Sequence, residues 1–168
     1  WWRRQHGPGL RVGLSWRGGP GTHGDPSRSI RLAQWTNIIR PLPGVEWISL
    51  QYGKHFPEID DYCGKTGVVI HEHESAMENY DDTCNLTASC DLVISVVTAV
   101  VHLAGALGVK TFCLTPKGAA WKFTPDEVLP WHASVVQLHQ AEFNKWDDVL
   151  ARLKERFDQW LETNRCTR

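Results

Sequence analysis

Residues 90–115 read CDLVISVVTAVVHLAGALGVKTFCLT, and their pattern decides the fold. Residues 92–96 are a short apolar run rich in β-branched side chains, which is typical of a buried parallel strand. Residues 98–107 space their apolar positions as a helix does, and Gly108 is placed to end that helix. Residues 109–114 form a second β-branched run. The stretch therefore predicts a strand, a helix and a strand with almost no linker between them.

The junction of the first strand and the helix is the predicted binding site. Free backbone N–H groups and the helix dipole favour an anion where the carboxyl end of a strand meets the amino end of a helix. Ser95, Thr98, Ala99 and His102 lie at this junction or one turn beyond it. A phosphorylated ligand is therefore expected to bind here.

Strand and helix patterns alternate along the rest of the chain. Further strands are expected at residues 11–16, 45–50, 68–70 and 135–138, and further helices at residues 32–39 and 146–161. Another helix is expected to start within residues 79–83, with Asp81 or Asp82 as its N-cap. Residues 116–132 are expected to form a long irregular loop, which in a compact domain is usually functional or disordered. The alternation predicts an α/β fold with a doubly wound, mainly parallel Rossmann-like sheet and helices on both faces.

The length of 168 residues suits one α/β domain with a full core. That domain is expected at residues 11–162, with residues 1–10 as an extension or linker remnant and residues 163–168 as a tail. Because the chain begins with tryptophan and its single methionine is Met77, we expect it to be a piece of a longer protein. Several tryptophans are expected to face solvent, which suggests a missing domain or a partner. They are Trp1, Trp2, Trp35, Trp121, Trp131 and Trp160.

Charge and hydropathy exclude two classes of partner. The 18 basic and 19 acidic residues give a net charge of −1, so the chain lacks the electrostatic footprint of a protein that binds nucleic acid or an anionic membrane. Its apolar runs fall short of the roughly 20 residues of a membrane span, and a cytoplasmic protein is expected. The five cysteines lack paired spacing, and Cys90 and Cys113 fall in predicted core elements. Reduced, buried thiols are therefore expected.

The other strand ends supply further candidates for the same edge of the sheet. The loop after the first strand is rich in Gly, Pro and Ser; Arg17, Arg28 and Ser29 are its candidate anion contacts, and an ordinary solvated loop is the alternative. The second strand delivers Gln51 and Lys54 to the carboxyl edge, where ligands bind in open α/β folds. Candidate contacts for a base or ribose lie at the predicted helix start: Tyr80, Asp81 and Asp82.

Three short motifs match by letter only. Residues 19–24, GPGTHG, spell the dinucleotide fingerprint, but Pro20 lacks an N–H group and no helix pattern follows the third glycine. Residues 64–66 lack the upstream glycine of a phosphate loop. His71 and His73 point to one face without an evident third metal ligand, so a polar strand end is the better interpretation. A nicotinamide-dependent oxidoreductase is therefore a weak alternative, and no metal site is expected.

Five pieces of the sequence, in their order and spacing, resemble the carboxyl-terminal half of GT-B glycosyltransferases. These are RVGLSWRG at 11–18, RSIRLAQW at 28–35, VEWISLQYG at 45–53, the stretch 90–116 and AAWKF at 119–123. The chain is most similar to the glycosyltransferase-like domain that follows tetratricopeptide repeats in many bacterial proteins. That domain is related to heptosyltransferases and, more distantly, to O-linked N-acetylglucosamine transferases. The resemblance extends over residues 11–161 and is most specific at residues 91–108.

The resemblance implies a donor domain that binds a nucleotide diphosphate sugar without metal. It places the diphosphate at Thr98, the nucleotide near Gln51 and Lys54, and the donor close to His102. A cation such as Lys122 or Arg17 would then stabilise charge on the leaving diphosphate.

Two departures from the family pattern shape the expected function. Relatives usually carry aspartate immediately before the threonine, whereas this chain has Val97, which accepts no hydrogen bond through its side chain. GT-B enzymes also close two Rossmann-like domains over their substrates, and this chain has the pattern of one. We therefore expect a donor-binding domain that needs an amino-terminal domain, a partner chain or a second copy for glycosyl transfer. The alternative is a non-catalytic nucleotide-binding or protein-interaction module that retains the fold.

Overall fold

Six strands form one sheet in the computed structural model, which describes residues 9–19, 26–53, 55–73, 76 and 78–165. In chain order the strands are β1 Leu10–Ser15, β2 Val45–Ser49, β3 Ile70–His71, β4 Leu92–Val96, β5 Thr111–Thr115 and β6 Val135–His139. Their spatial order is β3-β2-β1-β4-β5-β6, and every neighbouring pair is parallel. The predicted α/β class with a parallel Rossmann-like sheet is confirmed.

Helices cover both faces of this sheet. They are α1 Phe56–Thr66, α2 Tyr80–Ser89, α3 Ala99–Ala106 and α4 Asp147–Arg165. Helices α1 and α4 bury Ile59 and Phe157 in the larger core cluster, to which β4 contributes Ile94. Helices α2 and α3 bury Leu86 and Val100 in a second cluster, to which β4 contributes Val93. Because successive residues of a strand point to opposite faces, the two clusters lie on opposite sides of the sheet.

Strand β4 is buried along its whole length, as its continuous apolar run predicts. The neighbouring strand β1 carries Gly13 on the side of the second cluster. A Cβ atom at this position would lie 2.5 Å from Leu50 Cδ1 and 3.0 Å from Cys90 Sγ. The close packing beneath β1 therefore requires glycine there.

The helix expected at residues 32–39 is a 3-10 turn at Leu32–Trp35 followed by irregular turns. The N–H groups of Ile38 and Ile39 both donate to the carbonyl of Trp35 at 2.8 Å. Leu32, Ile38 and Ile39 of this segment are buried, but the two prolines that follow it prevent a longer helix. Trp35 was expected to face solvent, and this was wrong because it is fully buried in the core.

Helix α1 was not expected from the sequence. Its signals are Pro57 and Glu58 in the first turn and Gly67 at the C-cap, where φ is 69°. Gly64 lies inside the helix and interrupts its apolar spacing, so the helical pattern was not recognised from the sequence. The residues set aside as a phosphate loop, 64–66, form the last turn of this helix.

The N-cap of helix α2 is Asn79, so the expectation of Asp81 or Asp82 was wrong. Asn79 has the extended backbone of an N-cap, and its Oδ1 accepts a hydrogen bond from the Asp81 N–H at 3.0 Å. The two aspartates already belong to the first turn, where their carboxylates complement the helix dipole. Strands β3 and β5 each begin two residues later than expected, at Ile70 rather than residue 68 and at Thr111 rather than residue 109.

Residues 116–134, which we call the 116–134 loop, join β5 to β6 without a helix, in line with the predicted irregular loop. Leu129 of this loop is fully buried in a small cluster on the α3 side of β5. The Gln137 side chain of β6 donates to the carbonyls of Thr124 at 3.1 Å and Asp126 at 2.8 Å. The loop is therefore fixed to the sheet by a buried side chain and by hydrogen bonds.

Of the cysteines that the structure describes, Cys90 and Cys113 are buried as expected, whereas Cys63 and Cys84 are only half-buried. Cys63, Cys84 and Cys113 are free thiols, and burial raises the pKa of the Cys113 thiol to about 12. The first two tryptophans of the chain and Cys166 lie outside the described residues. Within the part of the chain that the structure describes, no helix has both the length and the apolar character needed to cross a bilayer.

Candidate functional site

A pocket of about 280 Å³ opens at the carboxyl ends of β4 and β5, beside the amino end of α3. Three segments line it: Ser27 and Arg28 after β1, residues 97–99 after β4, and the first part of the 116–134 loop. The strand order reverses between β1 and β4, and open α/β sheets bind ligands at such a switch point. The pocket therefore lies where the topology favours a ligand. We call it the basic pocket.

The described lining of the basic pocket carries charge of one sign. Arg28, Lys117 and Lys122 line it, and none of its described lining residues is acidic. The Lys117 backbone N–H donates to Gln140 Oε1 at 3.2 Å, and its Nζ donates to the Ala141 carbonyl at 3.0 Å. The local field therefore favours an anion of more than one negative charge.

The loop after β1 is closed at its base, which brings Arg28 to the pocket. Ser29 Oγ accepts a hydrogen bond from the Gly18 N–H at 3.1 Å and lies 3.2 Å from the Gly18 carbonyl oxygen, to which it donates. A Cβ atom at Gly18 would lie 3.1 Å from both Arg28 Cγ and the Arg28 carbonyl oxygen. Ser29, a predicted anion contact, therefore holds the loop stem together, while Arg28 reaches the pocket.

Thr98 and Ala99 are the predicted diphosphate residues that line the basic pocket. Thr98 is the N-cap of α3, but its side chain makes no capping hydrogen bond. Its hydroxyl lies 3.1 Å from Ser95 Oγ and 3.4 Å from Ser15 Oγ. Ser95 is fully buried behind it and donates to the Val96 carbonyl at 2.7 Å. The Thr98 side chain therefore does not cap the first-turn N–H groups of α3.

Gln51 braces the backbone at the end of β1. Its Oε1 accepts from the N–H groups of Trp16 and Arg17, both at 2.9 Å. Its Nε2 donates to the carbonyls of Arg17 and Tyr52, both at 3.2 Å. The structure buries this predicted nucleotide contact away from the described lining of the basic pocket. The predicted contact Lys54 lies outside the described residues.

Arg17 is engaged by Glu58 of helix α1. Arg17 Nε lies 2.7 Å from Glu58 Oε2, which also accepts from Trp16 Nε1 at 2.9 Å, while Oε1 accepts from the Leu32 N–H at 2.9 Å. Burial by itself would raise the pKa of Glu58, but the hydrogen bonds from Arg17, Leu32 and Trp16 outweigh it and hold the pKa below its ordinary value. Arg17 therefore contacts a carboxylate instead of the described pocket wall.

His102 lies behind the pocket, against the 116–134 loop. Its Nδ1 is 3.4 Å from His132 Nε2, and its ring packs on Phe123 with centroids 5.4 Å apart. Burial, then the nearby charges of Lys122 and His132, lower the pKa of His102 below its usual value. His132 fits because Gly105 lacks a side chain: a Cβ there would lie 2.4 Å from His132 Cγ. His102 therefore supports the loop that carries the pocket lysines.

Val97 packs in a core cluster and also lines the basic pocket. It is 6% exposed, lines the basic pocket and packs with Val101, Cys113 and Leu129. A carboxylate here would be partly desolvated and close to apolar groups. The departure from the family pattern is thus accommodated by local packing.

The predicted base and ribose contacts lie elsewhere on the carboxyl edge. Tyr80, Asp81 and Asp82 are exposed at the amino end of α2, and none of them is among the described lining residues of the basic pocket. Their assignment stays a prediction. Sequence reasoning missed Lys117 as a candidate site residue, although its place two residues after a buried strand was a usable signal.

Comparison with known proteins gives one relative of limited coverage. The chain is 31% identical over 149 residues to Protein FlbA of Caulobacter vibrioides. The match covers 88% of this chain and 25% of FlbA, so the chain spans about a quarter of the length of that curated relative. No family model matches the chain. No solved structure matches it.

Proposed function

We propose that this chain is the donor-binding domain of a GT-B glycosyltransferase and holds the diphosphate of a nucleotide sugar in the basic pocket. One observation carries the proposal. Three basic residues and the amino end of α3 line one pocket beside the switch point of the sheet, and the described lining contains no carboxylate. A diphosphate carries the multiple negative charge that this arrangement favours.

The residues would act by binding and by charge stabilisation. Lys117, Lys122 and Arg28 would contact phosphate oxygens, and the first-turn N–H groups of α3 would donate to the same group. When the glycosidic bond to the donor breaks, negative charge grows on the leaving diphosphate, and fixed cations stabilise it. The binding role needs no metal ion, because the chain itself supplies the positive charge.

Glycosyl transfer would need a second structural unit. We propose that an amino-terminal domain, a partner chain or a second copy provides the acceptor site and the catalytic base. The chain corresponds to a quarter of FlbA, which leaves room in such a protein for that unit. The free thiols fit the reducing cytoplasm to which we assign the protein.

A non-catalytic nucleotide-binding module is the second candidate. Val97 favours it, since the side chain at this position packs with the core and offers no acceptor to the donor sugar. The basic pocket is retained in either case. The two candidates therefore share diphosphate binding and differ only in turnover.

A ligand panel tests the shared part of the proposal. We expect UDP, GDP or ADP to raise the melting temperature, because a ligand that binds only the folded state adds about 2.7 kcal/mol of stability at a hundredfold excess over its Kd. CMP and NAD serve as comparison ligands. The absence of a shift with all three diphosphates would overturn the proposal.

A further inference from the structure

Two tryptophans stand exposed on the segment that walls the basic pocket. Trp121 is 83% exposed and Trp131 is 55% exposed. Their rings meet edge to face, with centroids 6.2 Å apart and an angle of 80° between the planes. Trp121 directly precedes Lys122, which lines the pocket. A large open aromatic surface thus lies next to a concentrated positive charge.

Both rings are held in place by the 116–134 loop. Trp131 Nε1 donates to the Lys122 carbonyl at 2.9 Å, which ties the second ring to the pocket wall. The Phe123 N–H donates to the Ala120 carbonyl at 2.8 Å and closes a turn around Trp121. Leu129, fully buried, anchors the strip between the two rings. A surface fixed before binding loses little conformational entropy when a ligand arrives.

The described lining of the basic pocket encloses a small volume for a complete nucleotide sugar. Its volume of about 280 Å³ lies at the lower end of the roughly 300–1,000 Å³ of pockets that enclose most of a drug-sized ligand. A ligand with its phosphates in the pocket is therefore expected to extend over the rim. The other ring of this wall, Phe123, is already covered by His102 and by Lys122, whose Nζ lies 5.7 Å from the ring centroid. Trp121 and Trp131 are the rings with free surface on this loop.

We propose that Trp121 and Trp131 form a stacking platform for the base of a nucleoside diphosphate whose phosphates lie in the basic pocket. This inference rests on the proposed function and adds the position of the base. Stacking of a nucleobase on an aromatic side chain is favourable and needs an exposed ring face, which Trp121 provides. The platform competes with the assignment of the base to Tyr80, which is 66% exposed at the start of α2.

Calorimetric titration of the whole chain with pyrophosphate and with UDP, GDP and ADP distinguishes the two positions for the base, the tryptophan platform and Tyr80. For the nucleoside diphosphate that binds wild type most tightly, we expect Trp121→Ala to weaken binding about tenfold, a loss within the range of base stacking. Trp121→Phe should recover most of the affinity, and Tyr80→Ala should leave it unchanged. Pyrophosphate, which has no ring, should bind equally to wild type and to all three variants. Circular dichroism checks that each variant is folded.

Each contrary result has a distinct meaning. Loss of nucleotide affinity in Tyr80→Ala with none in Trp121→Ala would overturn the platform and leave the diphosphate site standing. An equal loss of pyrophosphate binding in Trp121→Ala would also overturn it, since the ring would then act on the pocket itself. If wild type binds neither pyrophosphate nor any nucleoside diphosphate, the proposed function and the platform both fail.

Discussion

Two polar regions share the carboxyl edge of this sheet, and their chemistry is opposite. In the first, which we call the β1–β2 corner, Gln51 and Glu58 accept hydrogen bonds from Trp16, Arg17 and Leu32. In the second, the basic pocket, the described lining holds three cations and no carboxylate. Both regions contain residues that sequence reasoning assigned to ligand binding.

The comparison distinguishes polar groups that stabilise the fold from polar groups that are suited to bind a ligand. At the β1–β2 corner, donors and acceptors satisfy one another, and such closed networks stabilise a fold. In the basic pocket, the described lining holds three basic residues and no carboxylate, which suits an anionic ligand. A described lining of one charge sign at a strand edge is therefore a better guide to a ligand site than the number of polar residues.

Removing the Glu58 carboxylate should give the largest effect on stability. Glu58→Ala leaves the Trp16 indole, the Arg17 guanidinium and the Leu32 N–H without their acceptor. We expect the free energy of unfolding to fall by about 2–4 kcal/mol, measured by urea denaturation. Asp60→Ala, an exposed change on the same helix, is the control. Stability close to wild type in Glu58→Ala would show that the corner is not a structural network.

Introducing aspartate at position 97, the residue that the sequence resemblance leads one to expect there, tests the other region. Val97→Asp puts a carboxyl group beside Val101 and Leu129, so we expect a loss of about 1–3 kcal/mol in the free energy of unfolding. An ionised carboxylate at this position would repel a bound anion and lower the affinity for pyrophosphate. Val97→Thr, which is similar in shape and neutral, should leave pyrophosphate affinity unchanged. Tighter pyrophosphate binding in Val97→Asp would contradict the charge balance described for the pocket.

A methyl group at Gly105 should disturb the pocket from behind. In Gly105→Ala the new Cβ would approach His132 Cγ to 2.4 Å, so His132 and the 116–134 loop must shift. Overpacking of this kind costs roughly 1–3 kcal/mol, and we expect the lower half of that range because His132 is on a loop. Gly64→Ala, where a Cβ has no neighbour within 4 Å, is the matched control. A melting temperature in Gly105→Ala at or above that of Gly64→Ala would contradict the packing.

Acidification should produce the smallest change in stability, and this change should arise from His102 behind the basic pocket. The pKa of His102 is lowered by burial, and Lys122 and His132 add to the shift, so the unfolded chain takes up a proton on this residue before the folded chain does. Stability is therefore lost as the pH falls through the ordinary value of 6.5. His102→Gln should flatten the dependence of the melting temperature on pH between 7 and 5. An unchanged slope in this variant would assign the effect to other groups.

The sequence was sufficient for the sheet because the strands are continuous apolar runs. Residues 92–96 were predicted as a buried strand and form β4 with the same bounds. The helix after it, expected at 98–107, is α3 at Ala99–Ala106. Local periodicity carries this information, since burial on both faces leaves few polar positions to confuse the pattern.

Side-chain partners across the sheet could not be predicted in the same way. Gln51 and Arg17 occupy strand ends, as expected for ligand contacts, yet each meets a partner more than thirty positions away in sequence. No local pattern links Arg17 to Glu58, and the helix that carries Glu58 was itself missed. Lys117 and Arg28 reach one pocket from different loops, which only the folded chain reveals.

The most direct test of a diphosphate site is calorimetric titration of pyrophosphate into wild type and the double variant Lys117→Ala/Lys122→Ala. We expect micromolar to millimolar binding to wild type and at least a tenfold loss in the double variant, since hydrogen bonds to charged groups contribute about 1.5–3 kcal/mol each. Lys154→Ala, on helix α4 and paired with Asp158, should bind as wild type does. Equal affinity of the double variant and wild type for pyrophosphate would contradict the assignment of the basic pocket as the phosphate site.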